Sequence, residues 1–161
     1  MSTPHRSAAA PAAGFALHLC HEIVVDRPIG PVFEVATTAR HWTAWHPATV
    51  RVSGQAAAPA RLGDRIHEHV RIAGHEGSGT WTVVVCEPPH RLVLDSTDAG
   101  IGHVRISYTL SEHGRGTRFV RELDLPPLSA EVEAAMHEQS RAGLSALAAL
   151  LEREVPPEPE P

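Results

Sequence analysis

The sequence contains no lysine and no asparagine, and these two absences exclude several kinds of chemistry. Without lysine, the chain cannot form a Schiff base on a lysine amine or carry the Gly-Lys-Ser/Thr signature of a phosphate loop. Without asparagine, it has no acceptor for N-glycosylation. Its 14 basic residues are therefore all arginine, and 19 acidic residues bring the formal net charge to −5. That charge gives no electrostatic basis for binding nucleic acid or an anionic membrane surface.

Cysteine and long apolar runs are also scarce. Cys20 and Cys86 each stand alone in a strand-like run, and a disulfide between them would require the two strands to be neighbours. We therefore expect reduced thiols in a cytoplasmic protein. No apolar run approaches the roughly 20 residues that span a bilayer.

The two ends of the chain differ in composition from its middle. The alanine-rich start superficially resembles a signal peptide, but Pro4, Pro11 and Gly14 interrupt it. We therefore expect residues 1–14 to form a disordered tail. Residues 155–161, in which proline alternates with glutamate, are expected to form another. One domain over residues 15–154 is left, and it is long enough to fold without disulfides or metal.

The longest regular pattern is a helix from about Ser129 to Arg153, with Ser129 as the expected N-cap. Apolar residues recur at helical spacing, and charged residues occupy most of the other positions. The apolar residues are Val132, Met136, Gly143, Leu144, Leu147, Leu150 and Leu151. At 1.5 Å per residue the helix is about 37 Å long, and it needs an apolar surface to lie on.

Upstream of that helix, apolar residues alternate with polar ones, which predicts about seven antiparallel strands. The first strand runs from Leu17 to Val25, and two short helices follow it, one through Val35 and one near residues 38–44. Pro47 ends the second, because the residue before a proline is driven out of the helical region. No βαβ units alternate along the chain, so a parallel nucleotide-binding sheet is not expected.

Several short motifs follow one another in a specific order and spacing. They are Val25-Asp26-Arg27-Pro28 running into Pro31-Val32-Phe33-Glu34, Trp42-Thr43-Ala44-Trp45-His46-Pro47, Gly63-Asp64, Glu87-Pro88-Pro89-His90-Arg91-Leu92, Gly116-Thr117-Arg118, Gly143-Leu144-Ser145-Ala146-Leu147 and Leu150-Leu151-Glu152. Over about residues 17–154 the chain resembles the START-related polyketide cyclase/dehydrase and lipid-transport superfamily (SRPBCC), which has the helix-grip fold. The resemblance implies an α+β fold in which a curved seven-stranded antiparallel sheet wraps around the C-terminal helix, with a ligand cavity between them. It does not identify the ligand, because carriers, receptors, cyclases, hydrolases and chaperone activators share this scaffold.

Four polar residues, His21, Glu68, Tyr108 and Arg121, share the inward apolar face of the strands and are the candidate catalytic residues. In the helix-grip arrangement the first strand neighbours the last, which would bring His21 close to Arg121. In one interpretation Arg121 binds a carboxylate or enolate oxygen, and Glu68 or His21 moves protons. In the other, the charges form structural ion pairs or reach solvent, and Tyr108 packs its ring in the core.

A ligand site is predicted from the inward strand positions and from Trp45 and His46, which follow the second short helix, where the resemblance places the cavity opening. Alternatively, the tryptophans anchor the short helices on the sheet. The predicted lining residues are Trp45, His46, Ile66, Glu68, Val70, Trp81, Val83, Ile106, Tyr108, Phe119, Arg121 and Met136.

No metal site and no cofactor are predicted. His67 and His69 share one strand face at a spacing that could chelate a metal. Arg65 and Arg71 lie on the same face, however, so we expect that face to point to solvent. The sequence places no third ligand, and it contains no His-Glu-x-x-His or Cys-x-x-Cys pattern.

The leading hypothesis is a protein that binds a small hydrophobic or amphipathic molecule, such as a polyketide, lipid or isoprenoid-like compound, in an internal cavity. The second is a polyketide aromatase/cyclase or dehydratase that uses polar cavity residues for acid–base catalysis. A protein-interaction module ranks last, because the sequence shows no exposed apolar patch. The expected partner is a small ligand, without nucleic acid or a membrane span, and the chain is expected to be a monomer or homodimer.

Overall fold

The computed structural model describes residues 10–161, so the first nine residues of the predicted N-terminal tail lie outside the described residues. The elements are, in chain order, β1 (Leu17–Val25), α1 (Ile29–Thr37), a 3-10 turn (Ala39–His41), α2 (Trp42–Trp45), β2 (Thr49–Gly54), β3 (Arg65–Ile72), β4 (His75–Glu87), β5 (Arg91–Ser96), β6 (Val104–His113), β7 (Gly116–Leu125) and α3 (Ala130–Glu154). The second predicted short helix is thus divided into the 3-10 turn and α2.

The strands form one antiparallel sheet in the order β1-β7-β6-β5-β4-β3-β2. Most neighbours in the sheet are also neighbours in sequence, because short turns such as Ala73-Gly74 join them. Both of these residues have a left-handed backbone, with φ of 50° and 78°, as a two-residue hairpin turn requires. The exception is β1, which pairs with β7 and places His21 directly opposite Arg121. The sheet confirms the predicted fold and the predicted adjacency of the first and last strands.

The long helix α3 begins and ends within about one residue of the predicted bounds. Ser129 is its N-cap, since the Oγ atom of Ser129 accepts a hydrogen bond of 3.2 Å from the backbone N–H of Val132. The helix packs against β1 and α2 through a buried stripe that consists of Met136, Ser140, Gly143, Leu144, Leu147, Leu150 and Leu151.

Gly143 lets α3 approach the segment after α2. A Cβ atom at this position would lie 3.3 Å from Cδ of Pro47 and 3.4 Å from the backbone oxygen of Trp45. The close contact seats His46, which lies between these two residues, against the middle of the helix.

Trp42 anchors the short helices, as one of the two interpretations of the tryptophans expects. Its side chain is buried, and its Nε1–H donates a hydrogen bond of 3.3 Å to the backbone oxygen of Ala36 on α1.

The remaining predictions concern the cysteines and the chain ends. Cys20 on β1 and Cys86 on β4 lie on strands that are not adjacent, and no disulfide joins them. No helix among the described residues is long and apolar enough to cross a bilayer. Ala12 donates its backbone N–H to Asp124 Oδ1 at 3.3 Å, and Val155 is buried. The domain boundaries at residues 15 and 154 stay predictions.

Candidate functional site

A cavity of about 440 Å³ lies between the sheet and α3. Its wall is mostly apolar and draws on β3, β4, β6, β7, α3 and the loop between β5 and β6. The apolar lining residues are Val70, Ile72, Trp81, Ala99, Ile101, Val104, Ile106, Leu123, Val132 and Met136. A cavity of this size and composition is typical of a small-molecule site.

One end of the cavity opens to solvent between the β3–β4 turn and the β5–β6 loop. The lining residues here, including His75, Glu76, Asp98 and Ile101, are exposed. Asp98 holds the loop against β4, since its Oδ1 accepts a hydrogen bond of 2.7 Å from the backbone N–H of Thr80. That hydrogen bond lowers the pKa of the Asp98 carboxyl group below its usual range.

The other end is closed and polar, and Glu68 lies at its base. The Glu68 side chain is only 7% exposed, and protein donors occupy both of its carboxylate oxygens. Thr49 donates its hydroxyl to Oε1 at 2.6 Å, and Trp81 donates its indole N–H to Oε2 at 2.7 Å. Burial raises the pKa of Glu68, and these two hydrogen bonds oppose the rise because they stabilise the carboxylate.

His46 connects this carboxylate to Arg121. The Nδ1 atom of His46 lies 2.8 Å from Thr49 Oγ1, and its Nε2 atom lies 3.2 Å from Arg121 Nη2. Burial and the positive charge of Arg121 lower the pKa of His46 well below its usual value. The imidazole is therefore neutral near pH 7.

Arg121 is a buried cation, with only 3% of its surface exposed. It forms no ion pair with a carboxylate within the described part of the chain. Its Nη1 atom donates a hydrogen bond of 2.5 Å to Ser140 Oγ on α3. A buried charge without a direct counter-ion costs several kcal/mol unless other polar groups or a ligand compensate it.

A second, much smaller void of about 20 Å³ lies behind His46 and Arg121, where Trp45 and Tyr108 also line it. The Nε1 atom of Trp45 and the Nε atom of Arg121 are buried without an acceptor among residues 10–161. The void is large enough for one water molecule. Burial raises the pKa of the Tyr108 hydroxyl to about 12, so this group stays protonated.

His21 does not line the cavity, although its backbone is paired with that of Arg121. Its Nε2 atom instead lies 3.1 Å from Nδ1 of His137 on α3. Burial, followed by the nearby His137, Arg141 and Arg121, lowers the pKa of His21 to about 4.

The structure therefore divides the predicted ligand-site residues into three groups. Those that line the large cavity are His46, Glu68, Val70, Trp81, Ile106, Arg121 and Met136. Trp45 and Tyr108 line only the small void. Ile66, Val83 and Phe119 line neither space, because they are almost completely buried in the packed core.

Sequence reasoning missed Thr49, Ser140 and the loop residues Asp98 to Ile101. Ser140 follows Met136 by four residues and so shares its face of α3, which is a signal that could have identified it. Thr49 and the loop have no such periodic signal.

Residues 17–152 match the sequence profile of the family described as "Polyketide cyclase / dehydrase and lipid transport". No curated protein matches the chain.

Solved structures with the same fold are distant in sequence. The Zhui aromatase/cyclase from Streptomyces sp. R1128 is 21% identical, with a TM-score of 0.72 over 85% of this chain and 94% of that one. Major latex-like protein 151 from Panax ginseng is 11% identical, with a TM-score of 0.67 over 85% and 98% of the two chains. CalU16 from Micromonospora echinospora is 20% identical, with a TM-score of 0.61 over 85% and 77%. At these identities the likeness establishes the fold alone.

Proposed function

The chain belongs to the polyketide cyclase/dehydrase and lipid-transport family, and from that premise we propose that it binds a small amphipathic molecule in its cavity. The observation that carries the proposal is an apolar cavity of about 440 Å³ that ends at a buried arginine. The apolar wall favours a hydrocarbon or aromatic body, because burying it removes apolar surface from water. Polyketides, lipids and isoprenoid-like compounds share that character.

The polar end favours an oxygen atom on such a ligand. Arginine can only donate hydrogen bonds, and the Arg121 guanidinium has no carboxylate to receive them directly within residues 10–161. A ligand oxygen at this end would accept a charge-assisted hydrogen bond, a contact that contributes roughly 1.5–3 kcal/mol. Arg121 would then orient the ligand with its apolar body toward the open end.

Binding of prodan, a neutral naphthyl ketone that fluoresces in apolar surroundings, tests this function. We expect saturable binding to the native protein, and we expect Arg121→Gln to weaken it by about tenfold because the ketone loses a charge-assisted donor. Arg118→Gln is the matched control, since Arg118 lies on the same strand but pairs with Glu22 at the surface. It should bind prodan as the native protein does.

A second variant keeps the test decisive if Arg121→Gln does not fold. Val132→Trp places an indole in the cavity from the first turn of α3 and leaves the polar end unchanged. It should abolish prodan binding and keep the native circular dichroism spectrum. The proposal fails if prodan does not bind the native protein, or if it binds Val132→Trp and the native protein equally.

A second function, polyketide cyclase or dehydratase activity, is favoured by one observation. His46 is a neutral imidazole beside the Arg121 cation at the closed end of the cavity. When a substrate replaces the 3.2 Å contact between His46 Nε2 and Arg121 Nη2, the freed Nε2 atom can remove a proton next to a carbonyl group while the arginine stabilises the enolate oxygen.

Deuterium exchange at the α-carbon of an aryl β-diketone, followed by NMR in D₂O, tests the catalytic function. We expect the native protein to accelerate exchange by about 10²-fold or more over buffer, as general-base catalysis does. His46→Gln should return the rate to that of buffer. A native protein that binds the diketone without accelerating exchange would be a binding protein only.

A further inference from the structure

A groove on the outer face of the sheet differs in chemical character from the cavity. It has a volume of about 330 Å³ over β2, β3 and β4, which is within the size range of small-molecule sites. No large apolar side chain lines it. Its lining includes Arg51 and Ser53 from β2, His67 and His69 from β3, Thr80 from β4 and Asp98 from the β5–β6 loop. We call this space the outer groove.

The outer groove and the cavity lie on opposite faces of β3. His67 and His69 alternate with Glu68 and Val70, which line the cavity, and successive side chains of a strand point to opposite faces of a sheet. Glu68 borders both spaces. Its two carboxylate oxygens accept hydrogen bonds from the side chains of Thr49 and Trp81, which hold its charge on the cavity side.

Two opposite charges line the outer groove, and neither has a partner of opposite charge within residues 10–161. They are the exposed side chains of Arg51 and Asp98. Asp98 Oδ1 accepts hydrogen bonds of 2.7 Å from the backbone N–H of Thr80 and of 3.1 Å from Ser96 Oγ. The bond from Thr80 lowers the pKa of Asp98 below its usual range, so the carboxylate stays ionised near pH 7.

The strands of the sheet keep these two charges apart. Arg51 is on β2, at the edge of the sheet, whereas Asp98 follows β5, which pairs with β4 on the side away from β3. Neighbouring strands are about 4.8 Å apart, so the distance from β2 to β4 alone is about 10 Å. Arg51 and Asp98 therefore mark opposite ends of the outer groove. Their neighbours Arg71 and Glu76, in contrast, pair with each other across the β3–β4 hairpin.

We propose that the outer groove binds a small dipolar molecule, whose anionic group contacts Arg51 and whose cationic group contacts Asp98. A guanidinium binds a carboxylate or phosphate through two parallel hydrogen bonds, and a carboxylate accepts hydrogen bonds from an ammonium group. The hydroxyls of Ser53 and Thr80 can donate to or accept from a polar middle part. A ligand with one charge only would leave the other end of the groove unmatched. This site is independent of the function proposed for the cavity.

Triglycine is a suitable probe, because an extended tripeptide spans about 10 Å and carries one charge of each sign at its ends. We expect saturable shifts of the backbone amides of His67, His69 and Thr80 in ¹H–¹⁵N NMR spectra. The affinity should be in the millimolar range, since exposed ion pairs contribute little free energy. Triglycine amide lacks the carboxylate and N-acetyltriglycine lacks the ammonium group, so each should bind about fivefold more weakly.

Two variants assign the charged ends separately. Arg51→Gln should weaken triglycine binding by about fivefold and remove the difference between triglycine and its amide. Asp98→Asn keeps an oxygen that accepts from the Thr80 N–H, and it should remove the difference between triglycine and N-acetyltriglycine. Arg118→Gln is the matched control, since Arg118 pairs with Glu22 on another part of the surface, and it should bind triglycine as the native protein does.

The inference is overturned if triglycine does not shift the amides of the outer groove, or if both blocked peptides bind as tightly as triglycine. It is also overturned if Arg51→Gln and Asp98→Asn keep the native order of the three peptides. Prodan binding separates this result from the cavity function. Arg51 does not line the cavity, so Arg51→Gln should bind prodan as the native protein does, and a native protein that binds prodan but not triglycine contradicts the groove site alone.

Discussion

At the scale of single residues, Glu68 and Arg121 illustrate what a strand pattern can and cannot predict. Both alternate with apolar residues along their strands. Successive side chains of a strand point to opposite faces of the sheet, so the pattern predicts that both point inward. Their partners do not follow, because Thr49 and Ser140 reach them from β2 and α3. Which side chains of distant elements meet is decided by packing, and the local pattern does not contain that information.

Gly116 is a residue whose importance is visible only in three dimensions. A Cβ atom at this position would lie 2.2 Å from the backbone oxygen of Val25. That oxygen belongs to β1, and a backbone atom cannot swing aside as a side chain can. The start of β7 therefore tolerates only glycine.

We expect Gly116→Ala to lower the free energy of unfolding by about 2 kcal/mol or more, because β1 and β7 must separate locally. Urea denaturation measures the change. Gly30→Ala is the control, since a Cβ atom there meets nothing within 4 Å and alanine is the better helix former. Equal stability of Gly116→Ala and the native protein would contradict the tight contact.

At the scale of secondary structure elements, His21 and His137 form a contact between β1 and α3. The His21 imidazole faces His137 and Arg141 on α3 and Arg121 on β7, with its Nε2 atom 3.1 Å from Nδ1 of His137. All of these neighbours are basic. Protonation of His21 would add a positive charge to a cluster that already holds two arginines, and would weaken the packing of α3 on β1.

The sign of the resulting pH dependence follows from the pKa of His21. In the unfolded chain it protonates near pH 6.5, but in the fold its pKa is lowered to about 4. The unfolded chain thus binds more protons between these values, so the stability due to neutral His21 is full above pH 6.5 and is lost as the pH falls toward 4.

When the pH is lowered from 7 to 4.5, we expect the free energy of unfolding of His21→Gln to fall by about 1–2 kcal/mol less than that of the native protein. The lowering of the His21 pKa would by itself correspond to a larger difference in free energy, but the imidazole is partly exposed and solvent screens its charge. Urea denaturation at the two pH values measures the difference. His113→Gln, at the exposed β6–β7 turn, should keep the native pH dependence. If His21→Gln also keeps the native pH dependence, protonation of His21 is not coupled to folding.

At the scale of the whole molecule, the architecture could be predicted and the shape of its cavity could not. Alternating strands and one amphipathic helix determine which faces must be buried, and few folds bury them in this order. The inner wall is different, since Ile66, Val83 and Phe119 point inward and yet are covered by other core side chains. The loop residues Asp98 to Ile101 line the cavity without any periodic pattern. Cavity shape depends on how loops and helix are seated, which no single segment encodes.

The polar network at the closed end joins side chains that are far apart in sequence. Arg121 donates to His46, 75 residues earlier, and to Ser140 on α3, 19 residues later. During synthesis the chain leaves the ribosome from its N-terminal end. While α3 is still inside the ribosome, Arg121 lacks its hydrogen-bond partner Ser140. The cavity would therefore be complete only after the part of α3 that carries Val132, Met136 and Ser140 has left the exit tunnel and packed on the sheet.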